Sequence, residues 1–143
     1  MQKVNLDVDK ETIEGRSGLL DTMHVPTRLE EFKKIENGWL DGDGMAPDHE
    51  GLDWLIGAFK SHFHDEAMPP RTYPTEDGRV RMEWSIKNNA MILEIDLTTH
   101  TGDWLWFDRN SSADHERILD LDKPSSWKWL VSEVRDKEAP GDE

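Results

Sequence analysis

The sequence predicts an α+β fold, an antiparallel β-meander of three to five strands packed against an N-terminal helical hairpin and a C-terminal helix. Two helical patterns come first, several alternating segments joined by tight turns follow, and a third helical pattern closes the chain. Helices and strands that are segregated along a chain are typical of this class. We expect residues 1–143 to form a single domain, with residues 1–25 as an extended arm or irregular helix and residues 137–143 as a disordered tail.

The helical hairpin is predicted from caps and from apolar spacing. Thr27 and Glu30 have the spacing of a capping box, and Asn37-Gly38 supplies a stop for the first helix. Pro47 and Asp48 open a second helix, which we expect to end near His64. Its apolar residues recur on one helical face: Leu52, Leu55, Ile56, Phe59 and Phe63.

The period changes to strict alternation after Arg71. Residues 72–75 contain a proline and predict a short edge strand, and residues 80–84 and 91–97 alternate as strands with one buried face. Residues 103–107 predict a further strand that is apolar on both faces. Residues 110–116 are expected to form a polar loop, residues 117–121 a short additional strand, and Pro124 the start of the closing helix.

The loop over residues 37–47 joins the two N-terminal helices. Its glycines permit sharp turns, its aspartates can accept backbone N–H bonds, and we expect Trp39 and Leu40 to point inward. An EF-hand that began at Asp41 would need oxygen ligands where Met45 and Leu52 stand, so that signature fails. We interpret the loop as a structural joint made by Gly38, Trp39, Asp41, Gly42, Asp43 and Gly44.

A resemblance to known proteins rests on three motifs: Gly38-Trp39-Leu40-Asp41-Gly42-Asp43-Gly44, Tyr73-Pro74-Thr75-Glu76-Asp77-Gly78 and Glu83-Trp84. The chain resembles a set of small uncharacterised bacterial and phage proteins with a Trp-Asp-Gly-x-Gly loop, a Tyr-Pro-Thr-x-x-Gly turn and a Glu-Trp strand. It departs from them where Leu40 is inserted between Trp39 and Asp41. The resemblance covers about half of the chain and implies an architecture and a microbial or phage origin, but no catalytic residue.

The charge excludes some classes of partner. With 17 basic and 31 acidic residues the chain carries −14, and such a field repels nucleic-acid phosphates and anionic membranes. There is no cysteine and no signal-peptide pattern at the N-terminus, so we expect a cytoplasmic protein. The sequence indicates no cofactor and favours a protein partner with a basic surface.

Two constellations are candidates for chemistry or binding. His62 and His64, with nearby acids, are weak metal-ligand candidates, and a small metal-dependent hydrolase is one alternative function. No Gly-x-Ser-x-Gly elbow, phosphate-binding loop or dinucleotide fingerprint is present, so no catalytic residue is predicted.

The second constellation is the tryptophan-rich C-terminal part. Not all of its rings fit one small core, and exposed tryptophans ringed by acids are typical of protein-binding hot spots. We therefore predict a non-enzymatic antitoxin, immunity or phage-encoded anti-defence inhibitor. Sugar stacking on exposed tryptophans, burial in the core and burial in a homodimer are the alternatives. The predicted partner-binding residues are Asp103, Trp104, Trp106, Asp108 and Trp129.

Overall fold

A computed structural model describes residues 25–63, 67–110 and 113–139 of the chain. Within these ranges the elements run in the order α1 (Val25–Glu31), a 3₁₀ turn (Phe32–Lys34), α2 (His49–His62), β1 (Arg71–Pro74), β2 (Val80–Ile86), β3 (Asn89–Asp96), β4 (Thr101–Asp108), β5 (Ala113–Asp120) and α3 (Pro124–Glu138). The predicted α+β class is confirmed. The predicted strand or arm within residues 1–25 falls mainly on residues 1–24, which lie outside the described ranges.

The strands form one sheet in the order β1-β2-β3-β4-β5, and every neighbouring pair is antiparallel. Alternate side chains of β2 and β3 are buried, as their alternation in sequence predicts. We call this buried side the inner face and the opposite side the outer face. The inner face packs with α2 and α3 into one apolar core: Leu52, Leu55, Phe59, Met82, Trp84, Leu93, Trp104, Trp127 and Leu130 are among its members.

The helices begin close to where their caps place them, with one exception. Asp48 caps α2, since its Oδ2 accepts the N–H of Gly51 at 2.7 Å. α1 begins already at Val25, so Thr27 and Glu30 lie inside the helix and do not form the predicted capping box. Pro26 is tolerated there because residues in a first helical turn need no N–H donor. The Glu30 carboxylate instead contacts Lys33 Nζ at 3.1 Å.

Two expectations about the C-terminal half are corrected. Residues 113–116, expected as a polar loop, belong to the eight-residue strand β5. α3 continues to Glu138, so the expected tail does not begin at Lys137. Lys137 places Nζ 4.3 Å from the Trp106 ring centroid, and Glu138 Oε2 accepts the N–H of Met68 at 2.6 Å. These contacts hold the last turn of α3 against the body of the protein.

The loop over residues 37–47 is held by its own backbone. Leu40 and Asp43 exchange backbone hydrogen bonds of 2.7 and 2.9 Å, and Gly38 N donates to Gly44 O at 2.8 Å. Trp39 is half-buried and donates its Nε1–H to Met45 O at 3.1 Å, while Leu40 is 40% exposed. The expectation that both side chains point inward is therefore wrong for Leu40, and Trp39 packs across its own loop.

Candidate protein-binding surface

Except for Trp39, which packs across its own loop, the tryptophans of the described residues lie in the core or against it. Trp84, Trp104 and Trp127 are no more than 3% exposed. Trp106 and Trp129 are half-buried and pack against the same core. Trp104 is thus a core residue, which corrects its predicted role as a surface anchor: its strand position faces the helices.

The rings of Trp106 and Trp129 are engaged by side chains of the same chain. Trp106 stacks on His115 with centroids 4.6 Å apart, and its Nε1 donates to Asn89 Oδ1 at 2.8 Å. The Arg117 guanidinium lies 4.4 Å from the centroid of Trp129, a cation–π arrangement. Sugar stacking needs an open aromatic face, and each of these contacts occupies part of one. The sugar-binding alternative stays a prediction.

The two predicted acids lie on opposite sides of β4. Asp103 is on the outer face, with its side chain 62% exposed and Oδ2 3.5 Å from Arg79 Nη1. Asp108 is on the inner side at the strand end, where its Oδ1 accepts the N–H of Asn110 at 2.9 Å. Of the five predicted partner-binding residues, Asp103 alone presents a charge on the outer face.

The outer face carries an apolar group that is not covered by the described helices. The cross-strand register places Ile92 opposite Leu105, while Phe107 follows along β4 and Ile118 lies diagonally across on β5. Ile118 is 75% exposed and Phe107 37%, whereas Ile92 and Leu105 are half-buried. We call these four residues the outer patch. Exposed apolar groups of this kind mark interaction surfaces more often than isolated apolar residues do.

Acids border the outer patch on the β5 side. Asp114, Glu116 and Asp120 lie on the outer face and are exposed, with Glu116 directly opposite Leu105. Across the described ranges, no ion pair joins any of these three carboxylates to a cation. We call them the acidic margin. Unpaired, solvated carboxylates are available to a basic partner at little desolvation cost.

The β2 side of the outer face carries charges of both signs. Arg81 Nε lies 2.9 Å from Glu83 Oε2, and Arg81 Nη1 lies 3.7 Å from Glu94 Oε2. Glu83 also lines a cavity of about 610 Å³, together with Arg71, Ile92 and Arg109.

The histidine candidates are only partly described. His62 lies at the end of α2, with its ring centroid 6.0 Å from that of Trp127. It lines a cavity of about 590 Å³ together with Lys128, Arg135 and Asp136. His64 lies outside the described ranges, and the described residues contain no group of three or more metal-ligating side chains. The hydrolase alternative stays a prediction.

The glycine-rich loop keeps its structural interpretation. Asp41 has a positive φ of 51°, and its neighbours Gly42 and Gly44 both have φ of 96°. Met45 N donates to Glu76 O at 2.8 Å, which fixes the loop to the turn between β1 and β2. The loop thus joins α1 to α2 and braces the sheet.

Comparisons with protein-family models, curated proteins and solved structures find no match to this chain. Among the described residues, no helix has the length and apolarity to cross a membrane.

Proposed function

We propose that this chain is a non-enzymatic interaction protein that binds a protein partner with a basic surface through the outer face of its sheet. The outer patch is the observation that carries the proposal, because Phe107 and Ile118 are two of the five large apolar side chains that are exposed among the described residues. An apolar centre beside a polar and charged rim is the usual anatomy of a protein–protein interface.

Charge supports a basic partner. A net charge of −14 attracts basic proteins over a distance and speeds their association. The acidic margin then meets the partner's cations next to the apolar contact. Direct binding to nucleic acid is disfavoured by the same charge.

The proposed consequence of binding is neutralisation or regulation of the partner. An antitoxin, an immunity protein or a phage-encoded inhibitor of a defence complex works in this way, and each can be a small acidic protein. The sequence resemblance of the Trp39 loop and the Glu83-Trp84 strand to bacterial and phage proteins fits a microbial setting for this proposal.

The test compares two variants that gain the same charge at exposed apolar positions. Phe107→Lys adds a cation to the outer patch, and Met45→Lys adds one to the loop, where Met45 is 59% exposed. Affinity capture from the source cells, followed by titration of the purified partner, gives the dissociation constant for each. We expect Phe107→Lys to weaken binding at least about tenfold, since loss of a central hot-spot contact costs about 2 kcal/mol or more.

Met45→Lys should bind the partner as the wild type does. Equal binding by both variants and the wild type, or equal loss in both variants, would contradict the proposed surface.

A further inference from the structure

The two edges of the sheet differ in their capacity to accept another strand. β1 has only four residues and includes Pro74. Thr75 N donates a backbone hydrogen bond to Arg79 O. Because hydrogen-bonded and non-hydrogen-bonded pairs alternate along an antiparallel ladder, Thr72 and Pro74 form non-hydrogen-bonded pairs with β2, and their backbone polar groups point away from the sheet. Arg28 occupies the Thr72 carbonyl with bonds of 2.7 and 3.1 Å, and proline has no N–H to donate. The β1 edge is blocked.

Within residues 25–63, 67–110 and 113–139, no segment pairs with the outer edge of β5 over residues 114–118. β5 pairs with β4 through eight consecutive residue pairs without a bulge, and residues 114–118 are all exposed. Natural sheets usually protect such an edge with a proline, a bulge, a very short strand or charged side chains. β5 has no proline and no bulge, and its protection consists of charge: Arg117 on the inner face and Asp114, Glu116 and Asp120 on the outer face. Carboxylates at these positions repel an acidic strand and admit a basic one.

The ladder also defines which backbone groups of β5 point outward. Leu121 N donates to His100 O at 2.9 Å in continuation of the β4–β5 register. Hydrogen-bonded pairs alternate in an antiparallel ladder, so residues 113, 115, 117 and 119 bond to β4. Asp114, Glu116 and Ile118 then direct their N–H and C=O groups away from β4, as does the N–H of Asp120, and the side chains of these four residues lie on the outer face. The Asp120 carbonyl accepts the N–H of Lys123 at 3.1 Å, so the free part of the edge ends there.

A second copy of the chain is a poor occupant of this edge. A two-fold axis would place outer-face residues of one β5 opposite outer-face residues of the other. The central registers bring Glu116 opposite Glu116, Asp114 opposite Asp120, or Glu116 opposite Asp120. Like charges directly opposite one another are destabilising. The same carboxylates complement a basic strand.

We infer that the β5 edge receives an extended segment of the basic partner as a sixth strand. The segment carries basic residues opposite Asp114, Glu116 and Asp120 and an apolar residue opposite Ile118. Its backbone supplies affinity through the ladder, and its alternate side chains supply specificity. The inference rests on the proposed function and names the part of the partner that this surface recognises.

The probe is a synthetic peptide, Lys-Thr-Val-Thr-Lys-Thr-Lys, which in antiparallel register places valine opposite Ile118 and lysines opposite the three acids. The matched control has the same sequence with N-methyl groups on its first, third, fifth and seventh residues, so charge is kept and the ladder is blocked. We expect N-methylation to weaken binding at least about tenfold in a fluorescence anisotropy titration. Equal binding of the two peptides, or failure of both to bind, would overturn the inference.

A protein variant tests the same ladder from the other side. Ile118→Pro removes an N–H that points to solvent and spares the β4–β5 bonds, which is the edge position where proline is tolerated. Ile118→Val keeps that N–H and most of the apolar contact. We expect Ile118→Pro to reduce peptide binding at least about tenfold and Ile118→Val to reduce it less than about threefold, with thermal unfolding as the check that both fold. Equal effects would overturn strand addition.

The experiments separate this inference from the proposed function. If Phe107→Lys abolishes binding of the captured partner and Ile118→Pro does not, the proposed surface is supported and strand addition is overturned. A dimer in light scattering that Ile118→Pro dissociates would assign the edge to a second copy, and would likewise overturn the inference.

Discussion

At the scale of single residues, Asp96 organises the turn between β3 and β4. Its Oδ1 accepts the hydroxyl of Thr98 at 2.7 Å and the N–H groups of Thr98 and Thr99 at 2.9 and 3.1 Å. These bonds, the hydroxyl bond foremost, lower the pKa of Asp96 from 3.8 to about 2. The ionised carboxylate is therefore part of the folded turn.

We predict that Asp96→Asn lowers the free energy of unfolding at neutral pH by about 1 kcal/mol, since hydrogen bonds to a charged acceptor are the stronger ones. A depressed pKa stabilises the folded state above the ordinary value of 3.8, and this contribution is lost as pH falls toward 2. Urea unfolding at several pH values should show a smaller difference between variant and wild type at pH 2 than at pH 7. A constant difference would contradict the account.

Position 44 requires glycine for two reasons, its backbone conformation and the lack of space for a side chain. Its φ is 96°, and a Cβ at this position would lie 2.8 Å from Trp39 Nε1. We predict that Gly44→Ala lowers the free energy of unfolding by about 1–3 kcal/mol, as measured by chemical denaturation. The matched control is Gly57→Ala, because Gly57 is an exposed residue of α2 where an added Cβ would meet no neighbouring atom within 4 Å.

Gly57→Ala should raise the free energy of unfolding by about 0.5–1 kcal/mol, since alanine favours the helix. Destabilisation by Gly57→Ala as large as that by Gly44→Ala would show that the loop geometry is not the cause.

At the scale of elements, Trp127 joins α3 to the end of the sheet. Its ring is fully buried, and its Nε1 donates to Leu121 O at 2.8 Å. The ring also meets Phe59 of α2 edge-on at 6.5 Å. One side chain thus links two helices and the segment that leaves β5.

We predict that Trp127→Phe lowers the free energy of unfolding by about 2–4 kcal/mol, because it leaves the Leu121 carbonyl without its donor and opens a cavity. Trp129→Phe is the control, since Trp129 is half-buried, and it should cost less than half as much in the same urea titration. Equal costs for the two variants would contradict this account of the anchor of α3.

The elements that the sequence predicts well are those with one buried face. β2 and β3 alternate because the inner face excludes polar side chains, and α3 buries Trp127, Leu130, Val131 and Val134. β5 is predicted only in part: residues 114–117 are polar and exposed, and an exposed stretch of an edge strand has no alternation to read. Its strand character comes from pairing with β4.

At the scale of the whole molecule, the asymmetry of the sheet matters most for the proposed function. The helices cover one face, and the outer patch and the acidic margin lie on the other. One edge is blocked by Arg28 and Pro74, and the other, along residues 114–118 of β5, pairs with no segment of the described part of the chain. These features concentrate the proposed binding surface at the β4–β5 side of the outer face.

The location of this surface is only half predictable from the sequence. Alternation places Trp104 and Trp106 on one side of β4 and Leu105 and Phe107 on the other. The sequence does not define which side the helices cover, since both sides are apolar. The tryptophans form the larger buried surface and therefore face the core, which leaves Phe107 outside.

The central claim is tested most directly by mapping which face of the protein meets the captured partner. Cross-saturation from the partner to methyl groups tests this, because Ile92, Leu105 and Ile118 lie on the outer face, whereas Leu40 and Met45 are exposed on the loop over residues 37–47. We predict loss of methyl signal at Ile92, Leu105 and Ile118, with Leu40 and Met45 unchanged. Loss confined to Leu40 and Met45 would contradict the account.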